Sequence, residues 1–293
     1  MDRARLSALA RPLGWLLVAA SAVFLVVVAR EHWSAVSAVR LAAGDWAALA
    51  MLALAYGASL FLLAGAWHLL LASASDGTVE RGLSLRAYGT SQLAKYVPGN
   101  VFHYVGRHML HRQAGATDGA LARAALAEII LMAGAALTVA AGFYLAAGAA
   151  LDRSGSRLLS VLILPAAPLA ALTAHRIARI HLSAVGRAIA LQLVFFSAMA
   201  VIFASVVALL GERFSAAAAA IGVVGWIAGF VTPGASGGIG VREAALVFLG
   251  GQSIDTETML VAAALFRAVT FAGDLICFAI ARALPAPLRA EPA

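Results

Sequence analysis

Thr232-Pro233-Gly234-Ala235-Ser236-Gly237-Gly238-Ile239-Gly240-Val241-Arg242-Glu243 interrupts an apolar segment that runs from about Ala216 to Gly251. Proline removes a backbone donor and clashes with the preceding turn, and glycine loosens the chain. The segment therefore reads as two half-helices, each too short to cross a hydrocarbon core about 30 Å thick. A hairpin that enters the membrane and returns to the side it left fits that length. Non-helical backbone at that depth survives only when buried in protein or lining a wet cavity. Arg242 and Glu243 follow the break directly.

A second stretch has the same form. Lys95-Tyr96-Val97-Pro98-Gly99-Asn100, continuing to Gly106-Arg107, breaks the segment from about Ser84 to Gln113. Both breaks read P-G-x7-R, and 135 positions separate Pro98 from Pro233 and Arg107 from Arg242.

Six uninterrupted segments are long enough to span: about 13–29, 46–71, 119–149, 158–174, 184–210 and 257–281. Arg3, Arg5 and Arg11 precede the first, which reads as an uncleaved helix rather than a cleaved signal. A shift of about 135–145 residues lays the first three spans over the last three. The expected fold is all-α: a single membrane domain, 1–293, of six transmembrane helices plus two re-entrant broken-helix hairpins. Repeat one covers 1–150 with its hairpin at about 84–113, and repeat two covers 151–285 with its hairpin at about 216–251. Three crossings per repeat is an odd number, so the second copy is inverted, an arrangement found in transporters.

Composition agrees with lipid as the solvent. Of 293 residues, 63% are hydrophobic and 12% charged, and the mean hydropathy is +0.93, against about 25% charged in soluble domains. The net charge of +7 suits loops on one face of a membrane, so nucleic acid is not an expected partner. With the N-terminus in the cytoplasm and both hairpins returning, that side receives Arg3, Arg5, Arg11, Arg81, Arg86, Arg107, Arg112, Arg123, Arg176, Arg179, Arg187, Arg282 and Arg289. The outer side receives Arg30, Arg40, Arg153, Arg157 and Arg213 with Asp255 and Glu257. That excess follows the positive-inside rule for a multi-pass protein of the bacterial inner membrane with both termini cytoplasmic.

Charges at membrane depth face a pathway or a partner. A half-helix starting near Gly240 aims free N–H groups into the cavity, and Arg242 beside it can grip a phosphate with two parallel hydrogen bonds. The competing reading pairs Arg242 and Glu243 with other helices. Lys95, Tyr96, Asn100 and Arg107 surround the first break; snorkelling to the headgroups is their alternative. Arg267 and Asp274 share one face of the last helix, and Arg267 can meet Glu128 or Glu243 in an ion pair. His103, His108 and His111 read as interfacial histidines, and no metal or cofactor is expected. The lone cysteine, Cys277, offers no disulfide. Gly134, Thr138 and Gly142, four apart, suit close helix contacts.

The two quoted stretches resemble the signatures of the lysylphosphatidylglycerol synthase transmembrane-region family. That family includes the flippase half of the bacterial multiple peptide resistance factor, stand-alone membrane proteins, and membrane segments joined to polyprenyl-phosphate glycosyltransferases. The likeness implies lipid transfer across the membrane, with Pro98, Gly99, Pro233, Gly234, Gly237, Gly238 and Gly240 forming the breaks and Arg242-Glu243 in a central cavity. No aminoacyl-transferase domain is recognisable, and Ala235-Ser236 lengthens the second signature, so the resemblance does not name a substrate. The expectation is a flippase or scramblase for an anionic phospholipid or a polyprenyl-phosphate-linked sugar lipid. Its partners would be membrane lipids and a membrane glycosyltransferase or lipid-synthesising enzyme, with a homodimer left open. Two alternatives stay open: an integral membrane transferase, which would need paired acids, and a scaffold subunit for a glycosyltransferase.

Overall fold

The computed structural model of the chain describes Arg30 and residues 40–75, 78–96, 102–148, 156–232, 236–251 and 254–285. The expected first span at 13–29, Asn100, Pro98-Gly99 and Pro233-Gly234 lie outside the described residues. Helix α1 (Ala43–Ala74) is followed by the first broken segment: α2 (Arg81–Ser91), a 3-10 turn (Gln92–Tyr96) and α3 (Phe102–Gln113). Next come α4 (Asp118–Ala146), α5 (Ser156–Ile163), α6 (Ala166–Ala178) and α7 (Leu182–Leu209). The second broken segment comprises α8 (Ala216–Val231), a 3-10 turn (Ser236–Gly238) and α9 (Val241–Gly250), and α10 (Thr256–Ala283) follows it.

Four of these helices, α1, α4, α7 and α10, are individually long and apolar enough to cross a membrane. The fifth candidate span, Arg157–Ala178, falls on the expected segment at 158–174 but is not one uninterrupted helix. It is two helices joined by a turn at Leu164-Pro165, because Pro165 cannot continue α5 and instead opens α6. Met51, Leu158, Leu162 and Leu169 are 60–65% exposed. An apolar exterior of this kind belongs in lipid, and the chain is a multi-pass, all-α membrane protein.

Inside, small residues let backbones approach. A Cβ on Gly57 of α1 would lie 2.8 Å from the Gly273 carbonyl oxygen of α10, and one on Gly134 of α4 would lie 2.8 Å from that of Ala166. Thr138 donates to the Leu164 carbonyl at 3.0 Å and accepts from the Ala167 N–H at 2.8 Å. Gly142 is different from the expected contact site: a Cβ there would meet nothing within 4 Å.

Helix α10 serves as a ruler for depth. From its C-terminal end, Arg86 donates to the Leu284 carbonyl at 2.5 Å, and Gly89 packs on Cys277 and Ala281. Further along, Lys95 and Tyr96 bond Asp274. The Gly237 carbonyl then meets Arg267, Arg242 lies over Phe266, and Gly250 packs on Met259. Asp274 and Arg267 are about 10 Å apart along an axis about 42 Å long, near its middle. The first broken segment thus covers one half of α10 and the second covers the other.

Their tips touch. A Cβ on Gly237 would stand 3.1 Å from the Tyr96 ring. Each segment also folds back. Ser84, early in α2, lies 3.3 Å from His111, late in α3, while Leu246 and Arg242 of α9 pack on Gly225 and Gly229 of α8. Arg123, in the first turns of α4, donates to the Ala74 carbonyl at the end of α1. The first segment therefore leaves and rejoins one end of the bundle. Helix α2 rests on α1 and α10, and α8 rests on α7 and α4.

Candidate functional site

Where the two tips meet, the bundle holds a cavity of about 880 Å³, open mouth included. Its floor comes from α1, whose Tyr56, Leu60 and Leu63 recur at helical spacing on one face. Lys95, Tyr96, Arg107, Arg242, Arg267 and Asp274 all line it, although 179 positions separate the first from the last. Gly237 and Gly238 line it too. Their φ angles of 57° and 71° lie in the left-handed region that glycine enters without strain. The backbone can then turn beside Gly229, where a Cβ on Gly238 would sit 3.1 Å from the facing Cα. The turn releases α9, whose N-cap is Gly240; the Gly240 N–H donates to Glu243 Oε2 at 2.7 Å. Glu243 thus satisfies a helix-end donor at the start of α9.

Three of the four cations lining this cavity have a carboxylate. Lys95 Nζ is 2.7 Å from Asp274 Oδ1, and the Tyr96 hydroxyl donates to Asp274 Oδ2 at 2.5 Å. Asp274 is fully buried. Arg107 donates to both Glu128 oxygens, at 3.0 and 2.5 Å. Its guanidinium lies 3.9 Å from the Trp67 ring centroid, 4.6 Å from Tyr88 and 5.0 Å from Tyr104. Arg267 stands 3.5 Å from Glu243 Oε1 and donates to the Gly237 carbonyl at 3.0 Å. The pairing of Arg267 with Glu243, and of Glu128 with Arg107, follows from depth: Glu128 and Arg107 share the half of the bundle opposite Glu243.

Arg242 is the exception. It is 6% exposed, and its Nε and Nη2 make no hydrogen bond. Its guanidinium lies 4.4 Å from the centroid of Phe266. A cation–π contact stabilises an arginine partly, yet leaves N–H groups that a native fold normally satisfies. Among the described residues lining the cavity or bonded to them, four cations face three carboxylates, and Arg242 is the one left over.

His111 departs from the expected interfacial place. His111 is buried; its Nδ1 is 2.9 Å from the Arg107 carbonyl, and its Nε2 is within 3.5 Å of Ser84 and Trp67. It thereby fastens α3 to α1 and α2. His103 stacks on Tyr104 at 4.1 Å, and only His108 pairs at the surface, with Asp118 at 2.8 Å. Among the described residues no group of three His, Cys, Asp or Glu could hold a metal ion.

Sequence reasoning missed Trp67, Tyr88 and Phe266, whose rings face arginines, and Tyr56, which lines the same cavity. The spacing of Tyr56, Leu60, Leu63 and Trp67 at steps of 4, 3 and 4 marked one helical face and was the available signal. Gln192 was also missed; it is fully buried and both of its amide atoms lack a partner. Set against known proteins, the chain matches no family model, no curated protein and no solved structure.

Proposed function

We propose that the protein is a lipid flippase or scramblase of a bacterial inner membrane. In this reading an anionic headgroup crosses through the central cavity while its tails stay in the bilayer. The observation that carries the proposal is Arg242: a buried cation without a carboxylate, lining a cavity at mid-depth. Burying a charge without a partner is strongly unfavourable, and a passing anion supplies the partner.

The architecture supports transport through two inverted repeats. The pattern of helix contacts is the same in both halves. N-caps Thr117 of α4 and Asp255 of α10 are 138 positions apart, and each accepts from the N–H three residues on. Two hairpins that enter from opposite ends and touch at their tips leave only a short barrier between the two sides. Charge orients the bundle. Arg81, Arg86, Arg112, Arg123, Arg176, Arg179, Arg187 and Arg282 belong to the end where α1 and α10 finish, and Arg213 shares the other end with Glu212, Asp255 and Glu257. The positive-inside rule makes the first end cytoplasmic. The likeness of the two Pro-Gly stretches to the lysylphosphatidylglycerol synthase transmembrane-region family supports the same reading, with an anionic phospholipid or a polyprenyl-phosphate-linked sugar lipid as cargo.

The test is reconstitution of the purified chain in vesicles carrying headgroup-labelled lipids, with product analysis by mass spectrometry. Transfer of unchanged lipid between leaflets is the expected result. A new lipid product would make the chain a transferase. Neither transfer nor product would leave a scaffold for another enzyme.

A further inference from the structure

If the protein is the lipid translocator proposed above, the charge balance of its cavity narrows the cargo. We infer that the cavity selects a lipid phosphodiester of single negative charge whose remaining headgroup is an uncharged, hydroxyl-rich group. Lys95, Arg107 and Arg267 each have a carboxylate within 3.5 Å. Among the described residues lining the cavity, one positive charge remains, on Arg242. A phosphodiester carries one negative charge and neutralises it. A phosphomonoester carries about −1.5 to −2 near neutral pH, so it would leave excess negative charge in a place that water screens poorly. A zwitterionic headgroup would bring its own ammonium next to the surplus cation and leave the imbalance standing.

The vacant groups fit the same ligand. Nε and Nη2 of Arg242 form one edge of a planar fork, and that edge matches two oxygens of a phosphate. Arg267 Nη2 is also buried without a hydrogen bond, and Arg267 is the neighbouring cation on the cavity wall. The rest of the lining is uncharged, with polar groups set among apolar side chains such as Leu60, Met132 and Phe230. Tyr56, Tyr88, Tyr104, Gln92 and Thr270 present hydroxyl and amide groups, which suit a glycerol or sugar and provide no carboxylate for an ammonium. Asp274, Glu128 and Glu243 are already engaged.

The experiment uses the full chain in nanodiscs of neutral lipid and measures binding of three probes with identical tails. These are phosphatidylglycerol, phosphatidic acid and phosphatidylcholine. Water-soluble glycerophosphoglycerol serves as competitor. The inference expects phosphatidylglycerol to bind at least about tenfold tighter than either of the other lipids. Arg242→Gln should weaken it by about thirtyfold or more, the order expected when one member of a desolvated charge pair is removed, and Arg242→Lys should weaken it less. If Arg242→Gln does not fold, the ranking of the three lipids on the wild-type chain decides alone. Equal binding of phosphatidylglycerol and phosphatidylcholine overturns the inference, as does tighter binding of phosphatidic acid. Full competition by glycerophosphoglycerol at comparable concentration keeps the phosphodiester and overturns the lipid source. Failure of the cargo assignment is separable from failure of the translocator reading: lipid transfer in vesicles without headgroup preference retains the transporter and rejects this cargo. Selective binding without transfer does the reverse.

Discussion

Two arginines, Arg107 and Arg242, follow their Pro-Gly breaks at the same distance, and they end in opposite circumstances. Arg107 is locked by two hydrogen bonds to Glu128 inside a box of Trp67, Tyr88 and Tyr104. Arg242 rests on Phe266 with two nitrogens unbonded. The difference traces to one position. With the N-caps of α4 and α10 aligned, the residue 138 beyond Glu128 is Phe266. The first broken segment thus holds an arginine paired with a carboxylate, and the second holds one with two unbonded nitrogens. In the proposed inverted-repeat reading, the loss of symmetry at a single carboxylate supplies the proposed site.

The largest expected effect breaks the closed half. Glu128→Gln leaves Arg107 buried without its counter-charge and should cost about 3–5 kcal/mol, whereas Arg107→Met with Glu128→Leu should recover most of that loss. Arg242→Met, by contrast, removes a charge with no partner and should leave stability within about 1 kcal/mol of wild type. Thermal unfolding of the purified variants in one detergent compares them. Equal losses for Glu128→Gln and Arg242→Met would erase the distinction between the two halves.

Next in size is the attempt to make the open half resemble the closed one. Phe266→Glu and Phe266→Gln lose the same ring, so their difference isolates the charge. Glu should be the more stable by about 1–3 kcal/mol, the worth of a charged hydrogen bond to Arg242, and it should also abolish lipid transfer. If Gln proves the more stable, Arg242 is already neutralised by something else. A smaller effect concerns the box. Trp67→Leu should couple to Arg107→Met by about 1–2 kcal/mol in a double-mutant cycle, the scale of a desolvated cation–π contact. Additive losses would show that Trp67 only fills space.

The least perturbing test addresses orientation. In a Cys277→Ala background, a cysteine at Ser215 should react with an impermeant reagent from outside, and one at Arg179 should react only after the membrane is opened. Labelling of both from one face would place the two ends of the bundle on the same side and contradict the inverted arrangement.

Much of the fold was legible because it depends on local chemistry. The four long apolar helices and the two interrupted segments follow from hydropathy, proline and glycine. The turn at Pro165 was missed because Leu158–Ile163 and Ala166–Ala174 are apolar on both sides of it, and hydropathy alone does not register a break in direction. In the site, the sequence showed which residues are charged at depth but not which pair. Glu128 chooses Arg107 over Arg267 because α3 folds back beside α4, a fact of tertiary packing. His111 escaped notice for a related reason: its place among Trp67, Ser84 and the Arg107 carbonyl exists only once the first hairpin closes.

The most direct measurement is the rate at which a headgroup-labelled phosphodiester lipid changes leaflet in vesicles holding equal amounts of folded wild-type or Arg242→Gln protein. A single uncompensated cation at mid-depth predicts that the variant falls to the rate of protein-free vesicles. Transfer by Arg242→Gln at the wild-type rate would contradict it and move the site elsewhere in the bundle.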